Sequence, residues 1–208
     1  MQHHLDYPNI GEGSQMPDLH IHPLTSDRWD DLESLFGENG AVGGCWCMWW
    51  RMSGRKYDAN KGANNREALH SIVEGGDVPG LLAYDEGRAV GWCSIAPREA
   101  FAARFNNRSP MFKPVDDLPV WSIVCYFIDR DYRGKGVAIA LLNAAVTFAK
   151  DNGATIVEAY PKEASPERMT NNFVYTGTLD MYRKAGFVEL ARRQTTMTLY
   201  IMRKTLEE

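Results

Sequence analysis

Residues Asp131–Leu142 read DYRGKGVAIALL, which puts two glycines and two cations where a strand ends and a helix begins. Upstream, Val120–Ile128 (VWSIVCYFI) is a near-continuous run of apolar, β-branched and aromatic residues, the pattern of a strand buried on both faces. Downstream, Ala138, Leu141, Leu142, Ala145 and Phe148 recur at spacings of three and four, so one stripe of a helix faces a core. The glycines therefore sit in a strand-to-helix turn. At such a turn the first helical N–H groups have no internal partner, and the helix dipole adds partial positive charge. Gly134 and Gly136 carry no side chain to hold a ligand away from those amides, while Arg133 and Lys135 add full charges. This arrangement suits a phosphate or pyrophosphate.

Two common phosphate loops do not fit. Val137 follows Gly136, so the magnesium-binding hydroxyl of a Walker A loop is missing, and the dinucleotide pattern G-x-G-x-x-G would need glycine where Ile139 stands. Arg133-Gly-Lys-Gly136-Val-Ala138 is instead an instance of Q/R-x-x-G-x-G/A after an apolar strand, and here the chain resembles the GNAT family of acyl-CoA-dependent N-acetyltransferases. The resemblance extends over Leu81–Lys204. A hairpin (GLLAYDEGRAVGWCSI) leads into the loop, Thr155–Pro161 (TIVEAYP) forms the strand after the helix, and Leu179–Phe187 (LDMYRKAGF) supplies Y-x-x-x-G-F. It implies a mixed α/β layer fold with a central, largely antiparallel twisted sheet and helices on both faces.

The same resemblance implies site roles. Acetyl-CoA would lie in a V between the Val120 strand and the strand carrying Glu158, held by Tyr126, Phe127 and Ile128 and by Arg133, Gly134, Lys135, Gly136, Val137 and Ala138. Tyr182 would face the coenzyme sulfur and protonate the leaving thiolate, with Tyr175 the next tyrosine to consider. Glu158 stands where some relatives carry a base acting through water, and equally reads as a strand carboxylate. Asp116 and Asp117 in PVDDLPVW are rival bases or turn residues. The family's Asn beyond the second strand is not at its usual spacing; ASPERMTNNFVYTG takes its place.

Gly43–Met52 (GGCWCMWWRM) concentrates three Trp, two Cys and two Met in ten residues. Such residues commonly form core. The segment also falls between the first strand and the hairpin, which in the family closes over the acceptor, and Trp46, Trp49 and Trp50 would then wall a pocket for a hydrophobic or cationic amine, with Asp117 beside it. Cys45-x-Cys47 lacks a second ligand pair, since Cys93 and Cys125 fall on separate strands, so no metal is expected. Cys125 reads either as a buried strand residue or as a nucleophile beside the thioester.

The remaining sequence sets limits. A chain of 208 residues with net charge −4 has room for one sizeable core and no general attraction to nucleic acid. No apolar run approaches membrane-spanning length, and MQHHLDYPNIGEGSQMPD lacks the apolar centre of a signal peptide. The expectation is a flexible arm over 1–18 and a single cytoplasmic acetyltransferase domain over 19–208, monomer or homodimer. It would move acetyl from acetyl-CoA directly to a small-molecule or peptide amine. Non-catalytic alternatives are an acyl-CoA sensor and a phosphate-contacting interaction module.

Overall fold

The computed structural model describes residues 17–106, 110–163, 175–194 and 197–206. Residues 1–16 of the expected arm and 164–174 of the inserted stretch lie outside the described residues. In chain order the elements are β1 (His20–Pro23), α1 (Trp29–Phe36), α2 (Gly54–Ala59), α3 (Ala63–Glu74), β2 (Gly80–Asp85), β3 (Arg88–Pro97), α4 (Ala102–Phe105), β4 (Trp121–Ile128), α5 (Val137–Asp151), β5 (Ile156–Ala159), β6 (Lys162–Glu163), α6 (Leu179–Lys184), β7 (Val188–Gln194) and β8 (Thr198–Thr205). Among the described residues the strands form one sheet in the order β1-β2-β3-β4-β5-β8-β6, with β7 also paired to β8. Only the β4–β5 pair is parallel. The fold is thus mixed α/β with a mostly antiparallel sheet, as expected.

Strand alternation divides the core. Leu81, Ile95, Ile123 and Tyr126 face α5, where Val137, Leu141, Leu142, Ala145 and Ala149 are buried, and α6 joins the same cluster. The stripe on α5 keeps the expected centre at Leu141, Leu142 and Ala145, with Val137 and Ala149 as its buried ends and Ala138 and Phe148 half-buried at its edges. Full burial of a leucine contributes about 1.5–3 kcal/mol, so Leu141 and Leu142 fix the helix firmly. Gly91 on β3 permits the close approach: a Cβ there would lie 2.7 Å from Val137 Cγ1. On the other face Leu82 and Trp92 pack against Leu32 and Phe36 of α1 and Leu69 of α3. A third cluster gathers Trp50, Phe101, Phe105, Val124 and Tyr160.

The chain enters α1 through a tighter turn. Ser26–Arg28 form a 3-10 turn and α1 starts at Trp29, because the Thr25 hydroxyl donates to the Asp27 carboxylate at 2.5 Å and accepts from Arg28 instead of capping a backbone amide. α3 ends at Gly75 and Gly76, the latter at φ 88°.

The sheet positions the site through one irregularity. Ser94 opposes Cys125 and Ile95 opposes Ile123, so Val124 is an extra residue and β4 bulges there. β4 pairs with β5 only over Trp121–Ile123. Beyond the bulge, Cys125–Ile128 stay paired to β3, and the β4–β5 ladder is over. A V opens between the strands.

Candidate functional site

One cavity of about 880 Å³ joins the glycine loop to the aromatic segment. Its floor is Cys125–Ile128 of β4; at the end of that strand it is lined by Arg133, Gly134, Gly136, Val137 and Ala138. Gly134 and Gly136 adopt φ of 77° and 84°, a left-handed backbone that a side chain would strain, and a Cβ on Gly134 would meet nothing within 4 Å. The first bonds of α5 run from Ile139 and Ala140 to the Gly136 carbonyl, which leaves the amides of Val137 and Ala138 ahead of the ladder. Arg133 is exposed and tied by Nε to the Ile128 carbonyl at 3.2 Å. Lys135 stands off the lining, its ammonium 5.2 Å from the Tyr132 ring centre.

The other end of the cavity is aromatic. Trp49, Trp50, Tyr57 and Tyr175 line it. The three tryptophans of the segment separate into different roles. Trp46 does not line the cavity and is core, its ring 6.2 Å from Trp29 and 5.5 Å from Phe36. Trp50 touches the cavity but is 1% exposed and packs on Phe105, Phe112 and Tyr160. Trp49 is the half-buried wall, with the Arg104 guanidinium 3.7 Å from its ring centre. Lys162 lies behind this wall: its Nζ is 4.8 Å from the Tyr175 ring centre, 5.3 Å from that of Trp49 and 5.8 Å from that of Phe112, and donates to the Tyr175 hydroxyl at 2.8 Å.

Between the two ends sit thiols. Cys45, Cys47 and Cys125 all line the cavity. Trp46 and Cys47 hold φ of 42° and 53°, two adjacent non-glycine residues in left-handed backbone. This turn aims the Cys47 sulfur at Trp92, whose Nε1–H donates to it at 2.9 Å. The bond from Cys125 chiefly, then Trp92 and the nearby Arg51, makes the Cys47 proton more acidic against the opposing effect of burial. Cys125 shifts the other way, because its proton is shared with Cys47 and it too is buried. Among the described residues no group of three or more His, Cys, Asp or Glu is placed to hold a metal ion.

The remaining sequence-derived site residues lie off the lining. Tyr182 is fully buried; its ring packs edge-on to Phe187 and its hydroxyl donates to the Thr176 carbonyl at 2.9 Å, 3.5 Å from the Tyr126 hydroxyl. A Cβ on the cavity-lining Gly177 would stand 3.0 Å from that hydroxyl, so Tyr182 lies directly behind the wall. Burial pushes its proton affinity up. Glu158 is buried in an ion network: it accepts from Arg203 Nε at 2.9 Å and Tyr160 at 2.8 Å, with Arg98 at 3.7 Å. Asp116 completes that network through Arg203, and Asp117 is exposed on the preceding loop.

A split parallel pair, a glycine loop at a helix N-terminus and one cavity spanning both ends form a recognisable whole. Residues 46–187 match the model of the Acetyltransferase (GNAT) family. The chain belongs to this GNAT family. A curated similarity is local: 33% identity over 63 residues to an uncharacterized N-acetyltransferase of Methanocaldococcus jannaschii, covering 30% of this chain. The match spans about a quarter (24%) of that relative's length. Solved structures share the fold at low identity. An N-acetyltransferase from Staphylococcus aureus Mu50 aligns at TM-score 0.54 and 12% identity over 91% of this chain and 99% of its own. The yncA protein of Salmonella typhimurium, solved with its cofactor acetyl-CoA, aligns at 0.52 and 14% over 91% and 95%. Ribosomal-protein-alanine N-acetyltransferase from Brucella melitensis aligns at 0.51 and 17% over 90% and 99%.

For this GNAT chain the loop residues were visible in sequence, whereas Lys162, Tyr57 and the wall formed by Ala41 and Val42 were not. Lys162 follows β5 in a plain YPKE stretch, with no spacing that marks it.

Proposed function

We propose that the chain is an acetyl-CoA-dependent N-acetyltransferase that passes the acetyl group directly to an amine while both substrates are bound. One observation carries this reading: the glycine loop and the aromatic wall belong to a single cavity of about 880 Å³. The residues present suit acetyl-CoA, since the α5 amides and Arg133 offer pyrophosphate donors, Gly134 leaves the approach open, and β4 beyond its bulge has a free edge for the pantetheine amides. When bound, acetyl-CoA supplies an electrophilic thioester carbonyl. Trp49, Trp50, Tyr57 and Tyr175 favour an acceptor whose amine is flanked by apolar or cationic surface, on a small molecule or a peptide. Tyr182 is assigned a positioning role, holding Thr176 and Gly177 against the cavity and adjoining Tyr126, and Glu158 a role in fastening β5 to β8. Residues 19–208 are read as one catalytic unit.

Calorimetry with acetyl-CoA, and thiol release from acetyl-CoA across a panel of primary amines, tests the proposal. Binding with amine-dependent release supports it. Binding without release for any amine favours an acyl-CoA sensor, and no binding at all overturns both.

A further inference from the structure

Resting on that reading of the cavity, we propose that Tyr175 and Lys162 form a proton relay, in which Tyr175 takes a proton from the acceptor ammonium as it passes its own to the Lys162 amine. Tyr175 lines the cavity and Lys162 Nζ lies 2.8 Å from its hydroxyl oxygen on the far side. This bond serves either protonation state: the ammonium donates to the oxygen, and the free amine accepts the hydroxyl proton. Carboxylates offer no rival within reach. Glu158 and Asp116 are held by Arg203, and Asp117 is exposed away from the cavity. Asp180, the one carboxylate that lines the cavity among the described residues, pairs with Lys184 at 2.8 Å on an exposed flank.

The surroundings make a neutral Lys162 accessible near physiological pH. Burial first, then the Arg104 cation, brings its amine down to about 8, with Cys125 acting in the opposite sense. On its own strand, the Glu163 carboxylate is engaged by the Tyr200 hydroxyl at 2.7 Å. Tyr175 is pushed up by burial and by Cys125, Cys45 and Cys47, with Arg104 opposing. It therefore keeps one proton at all working pH values and acts as a conduit. The balance closes. The ammonium gives one proton through Tyr175 to Lys162; the freed nitrogen forms the C–N bond to the thioester carbonyl; the C–S bond breaks; and the departing thiolate takes the second nitrogen proton. Lys162 then releases its proton to solvent.

The test measures thiol release between pH 6 and 10 with one turned-over primary amine, on wild type, Tyr175→Phe, Lys162→Met and Lys162→Arg. Wild-type kcat should rise through about pH 8 and then level. All three variants should lose roughly 100-fold, the low end of general-base contributions, and the lysine variants should lose the inflection near 8, with acetyl-CoA affinity by calorimetry unchanged. Rates within threefold of wild type, or an inflection that persists in Lys162→Met, overturn the relay while leaving the acetyltransferase reading intact. Absence of acetyl-CoA binding to wild type overturns both. If no amine of the panel is turned over, the acetyltransferase reading and the relay fall together. Trace labelling with acetic anhydride adds an independent readout: a Lys162 midpoint near that of an ordinary lysine, about 10.4, overturns the relay.

Discussion

The two ends of the cavity are built from different materials. The end proposed for the coenzyme offers backbone amides and missing side chains, from positions between Cys125 and Ala138. The end proposed for the acceptor offers side chains, drawn from residues 41–57 and from Tyr175 before α6, with Lys162 behind them. A backbone site constrains sequence through glycine and little else; a side-chain site leaves identity free wherever several residues can fill one wall.

The largest expected effect probes the first end. Gly136→Glu places bulk and negative charge at φ 84° on the α5 N-terminus, and acetyl-CoA binding should fall below calorimetric detection. Left-handed strain alone costs roughly 1–2 kcal/mol, a drop of a few degrees in melting temperature. Gly136→Ala shares the strain without the charge. It should bind measurably, and equal loss in both variants would assign the effect to distortion instead of to the pyrophosphate cradle.

Next come the tryptophans, which test whether the aromatic segment is divided as the structure divides it. Trp46→Ala and Trp50→Ala should each cost about 3–5 kcal/mol in chemical denaturation, as truncated core aromatics do. Trp49→Ala should leave stability nearer wild type and raise the acceptor KM, with acetyl-CoA affinity kept. If Trp49→Ala destabilises as much as Trp50→Ala, the wall is core and the acceptor end has been misplaced.

The sequence was informative where a single element determines geometry. VWSIVCYFI followed by RGKG and a stripe of Ala and Leu allows few structures other than strand, turn and helix, and the order of the later elements followed from the resemblance to the GNAT family. The bulge at Val124 was invisible, because it depends on how Ile95 and Ser94 register across from it. The same limit hid the acceptor end. Nothing in YPKE marks Lys162, whose surroundings are Trp49, Phe112 and Tyr175, more than 100 residues away in one case and 13 in another. Tyr182 shows the converse: the resemblance marked it through Y-x-x-x-G-F, and it sits on α6 ahead of Gly186 and Phe187, yet its hydroxyl is turned to Thr176 behind the wall.

Tyr182→Phe sharpens that last point. Losing the hydroxyl leaves the buried Thr176 carbonyl without its donor, which costs about 1–3 kcal/mol of stability. As a positioning residue it should lower kcat by less than about tenfold, against roughly 100-fold for Tyr175→Phe. A loss as large as that of Tyr175→Phe, shrinking for acyl donors with more acidic thiols, would restore Tyr182 as the donor to the leaving thiolate.

The smallest effect returns to the coenzyme end and separates charge from backbone there. Arg133 is exposed, so its attraction to a pyrophosphate is weakened by water and by salt, with a screening length of about 8 Å at physiological ionic strength. The amides ahead of α5 carry no net charge and approach the ligand directly. Arg133→Ala should therefore weaken acetyl-CoA binding by no more than about fivefold at low salt, the scale of an exposed ion pair, and by less as salt rises. Its tether to the Ile128 carbonyl adds a second consequence, since releasing it loosens the loop at every salt concentration. Calorimetry across a salt series distinguishes the two contributions: the screened part vanishes at high salt and the tether part persists. A loss that stays large and constant with salt would mean that Arg133 holds the loop in shape, and that the cation's charge matters less than the geometry it maintains.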